Sequence, residues 1–156
     1  MAIVKANFRT REKATKAGGV ARSVAYYTFR GRPEQPRAWE TDDGRDLRYN
    51  ATRREVMARA REATYTYRIV LSTRDAPLEN ADYRAVLGER FDRWYITQHH
   101  EGEHPHAHVI AFTNQRLNTA DLRRMRQELL AREQDRERDW EREQGRERQR
   151  EHDLAW

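Results

Sequence analysis

The segments Trp94-Tyr95-Ile96-Thr97-Gln98-His99 and His106-Ala107-His108-Val109-Ile110-Ala111-Phe112-Thr113 read as two strands of a β-hairpin, joined across a reversal that holds Gly102 and Pro105. Side chains alternate between faces along a strand. His106, His108, Ile110 and Phe112 therefore share one face of the second strand, and Ala107, Val109 and Ala111 the other. Both faces are apolar apart from the histidines, the pattern of a central strand.

Five of the six histidines fall between positions 99 and 108. His106 and His108 point the same way, and His99 is placed to meet them across the reversal. Imidazoles on so apolar a strand are costly to bury without partners. A metal at roughly 2.0–2.2 Å from each nitrogen supplies one. His99, His106 and His108 are thus the expected ligands. His100 should point away from His99, and His104 lies in the turn. Glu101 and Glu103 suit either a role in orienting an imidazole or accepting a proton, or plain solvation.

At 156 residues the chain suits one domain. Hydrophobic and charged residues each make up 37%, so the core is small and part of the chain lies outside it. There is no apolar run of membrane-spanning length and no secretory h-region, which reads as a cytoplasmic protein without a membrane segment. The lack of cysteine excludes disulfides, thiolate metal sites and a cysteine nucleophile. The net charge of +5 is unevenly spread: residues 1–74 hold 17 Lys and Arg against 8 Asp and Glu, and residues 75–112 hold 3 against 7. A polyanion such as nucleic acid is the natural partner of that basic first half.

Outward from the hairpin, composition and periodicity predict strands over 2–8 and 64–72, and helices over 17–30, 51–62, 81–92 and from 119. Thr41-Asp42-Asp43-Gly44 reads as a hairpin tip. Leu122, Met125, Leu129 and Leu130 are the expected buried side of the last helix. Beyond Ala131 the sequence is almost all Arg, Glu, Asp and Gln. It suits a solvated helix held by i,i+4 charge pairs, or a partly disordered tail. The expected fold is α+β: a central antiparallel sheet with helices mainly on one face over residues 1–130, then a charged tail over 131–156.

A metal beside a basic surface suggests phosphoryl transfer, in which the ion offsets charge developing on the phosphate. The attacking group is water or a side chain, and tyrosine is the candidate. Tyr26 and Tyr27 lie at the end of the helix predicted over 17–30. At about 100° per residue, Tyr27 falls between Val20 and Val24 on the stripe that faces the sheet. Tyr26 lies on the side of Arg22 and Phe29. Lys13, Lys16, Arg22 and Arg30 flank this pair and are the expected phosphate contacts.

Together these segments resemble the HUH endonucleases, named for a His-hydrophobe-His motif, here His106-Ala107-His108. The chain is most similar to the mobilisation relaxases of plasmids and integrative elements. His99 through Val109 resembles their third motif: a first His, acidic residues, then His-Pro-His-x-His followed by apolar residues. Tyr27-Thr28-Phe29-Arg30 resembles their first, a tyrosine with an arginine three residues on. Relaxases place the tyrosine before the histidines; replication initiators place it after them, and this chain has no tyrosine after Tyr95.

The resemblance implies a ferredoxin- or RRM-like sheet and a divalent ion, Mg²⁺ or Mn²⁺, with Zn²⁺ also compatible. It further implies single-stranded DNA at an origin of transfer as substrate, and accessory mobilisation proteins as partners. Tyr27 would attack the scissile phosphate and form a 5′-phosphotyrosine link, with Tyr26 as the alternative nucleophile and Glu101 as an acid–base candidate. Two other functions suit the same residues: a nucleic-acid-binding protein that has lost cleavage, and a metal-dependent nuclease that uses water.

Overall fold

A computed structural model describes residues 1–99 and 104–154. Six strands lie side by side in the order β1 (Ala2–Thr10), β4 (Tyr65–Thr73), β6 (His106–Thr113), β5 (Arg93–His99), β2 (Trp39–Thr41) and β3 (Asp46–Leu47), every neighbouring pair antiparallel. The helices are α1 (Arg11–Ala14), α2 (Val20–Phe29), α3 (Tyr49–Glu62), α4 (Asn80–Leu87) and α5 (Thr119–Leu154). The α+β class, the antiparallel sheet and the long charged helix are those expected. No helix among the described residues is long and apolar enough to cross a membrane.

The histidine-bearing strand β6 lies between β4 and β5, as its two apolar faces require. The helices do not gather mainly on one face. Helices α4 and α5 cover Ile69, Leu71, Trp94 and Val109. Helices α1, α2 and α3 cover Tyr95, Ile110 and Phe112 from the other side. The reason lies in the strands themselves: each apolar face gains about 25 cal/mol per Å² on leaving water, so each needs a cover.

Glycines stand at two of the helix ends. Helix α2 begins at Val20, and Gly19 before it passes so close to the Ala14 carbonyl that a Cβ there would collide with it. Helix α4 stops at Leu87, well short of residue 92, where Gly88 turns to a φ of +55°. That left-handed region favours glycine and ends a helix.

In α5, Met125 and Leu129 are buried as expected, but Leu130 is exposed. The next inward position, four after Leu129, is Glu133, which is 1% exposed. Its carboxylate accepts the Asp75 backbone N–H at 2.7 Å and the Met1 ammonium at 2.6 Å. Arg136 then donates to buried Asp82 of α4 at 2.9 Å. The helix runs on through Leu154. Its ion pairs form at i,i+3, Asp135 with Arg138 and Asp139 with Arg142, rather than at i,i+4. Acidic residues recur every fourth position from 135 and arginines every fourth from 138, so i,i+4 neighbours carry like charges.

Candidate metal centre

The hairpin register puts His99 directly opposite His106, and His108 opposite Thr97. All three imidazoles therefore leave the sheet on the face covered by α2. His99 and His108 are buried and His106 half-buried. One ring nitrogen from each lies within 4.8 Å of the other two, so the three could hold one metal ion.

Two of the rings are oriented by carbonyls. His106 Nδ1 lies 3.0 Å from the His104 carbonyl, and His99 Nε2 lies 3.1 Å from the Tyr27 carbonyl. A carbonyl only accepts, so those two nitrogens donate to it. A backbone acceptor behind the imidazole is the usual support for a metal ligand.

His108 has neither support. Both its ring nitrogens are buried without a hydrogen-bond partner among the described residues. Burial, with the neighbouring His99, His106, Arg30 and Arg37, pushes its pKa down to about 3. It is thus a neutral imidazole with an unused lone pair at neutral pH. An orphaned buried polar group costs about 1–3 kcal/mol. Three imidazoles, one of them orphaned in this way, fit a bound metal ion, and three protein ligands leave coordination positions open.

Helix α2 delivers Tyr27 to this triad. Its ring stacks on His108, centroids 3.9 Å apart and planes 11° from parallel. The end of α2 is pinned by two residues of the segment that follows it, Trp39 and Arg37. The Trp39 indole N–H donates to the Thr28 hydroxyl at 2.8 Å, and that hydroxyl donates to the Val24 carbonyl at 2.6 Å. Buried Arg37 donates to the carbonyls of Tyr27 and Arg30, at 3.3 and 2.6 Å. A cation over the final carbonyls complements the negative end of the helix.

The other expected site residues are more scattered. Tyr26 is 52% exposed, with the Arg30 guanidinium 5.2 Å above its ring centre. Lys13 is exposed on α1, and Lys16 reaches Glu12 at 3.6 Å. Arg22 is exposed on α2, beside Tyr26 and Tyr27. His104 contributes its carbonyl to His106. Glu101, with His100 and Glu103, lies outside the described residues.

Three further arginines lie near the site, and none of them flanks the tyrosines in sequence: Arg9, Arg37 and Arg68. Arg37 sits in a turn-rich loop and carries no periodic signal. Arg9 and Arg68 were more accessible to inference. In β4, Tyr67, Ile69 and Leu71 alternate onto one face, so Arg68 must lie on the histidine face. The pairing of Arg9 with Thr66 puts it there too. Comparison with protein families, curated proteins and solved structures returns no match to the chain.

Proposed function

We propose that the protein is a metal-dependent, strand-specific nickase and transesterase of single-stranded DNA, acting as the mobilisation relaxases that its motifs resemble. The observation that carries this reading is the stack of Tyr27 on His108, which places a phenol beside a cluster of three imidazoles. A divalent ion held by His99, His106 and His108 would polarise the scissile phosphate and offset its developing charge.

The remaining chemistry belongs to the chain. The Tyr27 phenol oxygen attacks phosphorus, and the P–O bond to the 3′ oxygen breaks as the new P–O bond forms. The phenol proton passes to Glu101 or to solvent, and the departing 3′ oxygen takes up a proton. The part of the strand on the 3′ side of the nick remains on Tyr27 through its 5′ phosphate as a phosphodiester, which preserves the bond energy for rejoining. Lys13, Lys16, Arg22 and Arg30 hold the flanking phosphates. The reaction takes place in the cytoplasm, at an origin of transfer, with accessory mobilisation proteins as partners.

The test is incubation with Mg²⁺ or Mn²⁺ and single-stranded DNA from the gene's own neighbourhood, followed by a denaturing gel. A protein–DNA adduct that survives denaturation is the expected product. Cleaved DNA free of protein would identify water as the nucleophile. Binding without cleavage on any strand would leave a binding protein only.

A further inference from the structure

A second cationic site adjoins the first and shares Tyr27 with it. A cleft of about 360 Å³ opens between β1, α2 and β4, lined by Arg9, Arg22, Arg68, Ser23, Tyr26 and Tyr27. Its three guanidinium groups come from three different elements. Arg9 donates to the Gly18 carbonyl at 3.4 Å. Arg68 donates to Asn7 Oδ1 at 3.2 Å and to the Ser23 hydroxyl at 3.3 Å. All of these acceptors are neutral. Among the described residues no carboxylate forms an ion pair with Arg9, Arg22 or Arg68.

What sets these three apart is their convergence from three elements on one cleft. Arg45, Arg84, Arg90, Arg93, Arg132 and Arg136 each have an acidic partner. Three unneutralised guanidinium groups on one cleft repel one another until an anion joins them. Arginine's planar fork matches the oxygens of a phosphate, and an exposed tyrosine ring beside it offers a stacking face for a base. Ser23 adds a hydroxyl donor. Phosphate contacts and aromatic stacking together describe one nucleotide of a single strand, not a free anion.

We infer that this cleft holds a second DNA phosphate, that of the nucleotide next to the scissile one, with its base against Tyr26. The word "scissile" rests on the nickase reading; the binding itself does not. Tyr27 lines the cleft and stacks on His108, so a strand seated here has its neighbouring phosphate delivered to the histidines. Arg9, Arg22 and Arg68 would set the register of the strand on the nucleophile.

The experiment is fluorescence anisotropy with a short labelled oligothymidylate and the full chain in a chelator, so that neither metal nor cleavage enters. Arg22→Gln, at an exposed position, and the double variant Arg9→Gln/Arg68→Gln are each expected to weaken binding about tenfold. They should also flatten the salt dependence, since each single-strand phosphate contact contributes about −0.7 to the log–log slope. Arg126→Gln, on the exposed side of α5, should bind as the wild type does. Zn²⁺ binding should be unchanged in all of them. Wild-type affinity and slope in both cleft variants would overturn the inference; should the double variant fail to fold, Arg22→Gln alone decides. If the wild type forms no covalent adduct while the cleft variants lose binding, nicking is excluded and the cleft stands. If adduct forms normally in variants that also bind normally, nicking stands and the cleft is excluded.

Discussion

The ring of Tyr27 lies flat against the imidazole of His108, and the carbonyl of the same tyrosine accepts from His99. One residue of α2 is therefore joined to two of the three sheet histidines, by its ring and by its backbone. The contact ties the angle of the phenol to the geometry of the triad. Tyr26, one residue earlier, turns outward and stacks under Arg30 instead. The helix pitch alone separates the two tyrosines into one that faces the histidines and one that faces solvent.

The orphaned nitrogens of His108 give metal binding a clear stability signature. Zn²⁺ or Mn²⁺ at a hundred times its Kd should stabilise the fold by about 2.7 kcal/mol, and chelation should remove the gain. His108→Leu should abolish the metal-dependent rise in Tm. The metal-free variant should be at least as stable as the wild type, since it no longer buries an unpaired imidazole. A metal-dependent rise of unchanged size in His108→Leu would place the ion elsewhere.

Gly19 matters to the site at a distance. An added methyl meets backbone rather than a flexible side chain, so α2 must shift or the fold must strain. Gly19→Ala should cost about 1–3 kcal/mol in urea unfolding. It should also lower the yield of Tyr27 adduct by more than it lowers DNA binding, because α2 carries the phenol. A variant with wild-type stability would contradict this packing.

Glu55 is a point of acid sensitivity. It accepts the hydroxyl of buried Tyr95 at 3.0 Å and both terminal nitrogens of Arg45 at 2.9 Å. Arg45 holds its carboxyl below the ordinary carboxylate range. The folded-state pKa is depressed, so the stabilisation is complete above the unfolded value of 4.5 and is lost as pH falls through the folded one. Glu55→Gln should cost about 1 kcal/mol at neutral pH, and the difference should close in acid. Urea midpoints across that range check it.

Much of this was legible in the chain because strand alternation is strict. The period of two in His106–Thr113 sufficed to place two imidazoles on one face, and the reversal returned His99 to them. The helix period likewise separated Tyr27 from Tyr26. What escaped inference depended on long-range packing. Leu130 looked like the next core residue of α5, yet the inward position fell on Glu133, whose partners lie 58 and 132 residues away. No local pattern marks a glutamate as buried when its neutralising groups are so distant. Arg37 is hidden for the same reason, since its acceptors are the backbone carbonyls of a helix end. The two-sided cover of the sheet was latent in the apolar Ala107-Val109-Ala111 face, which demands helices of its own.

The most direct measurement compares Tyr27→Phe with Tyr26→Phe in the adduct assay, with Zn²⁺ binding followed in parallel. Tyr27→Phe should form no denaturation-resistant protein–DNA adduct while it retains metal and binds the strand. Tyr26→Phe, which keeps the ring, should still form the adduct and bind the DNA as the wild type does. Adduct formation by Tyr27→Phe, or its loss in Tyr26→Phe alone, would contradict the assignment of Tyr27 as the nucleophile at the histidine centre.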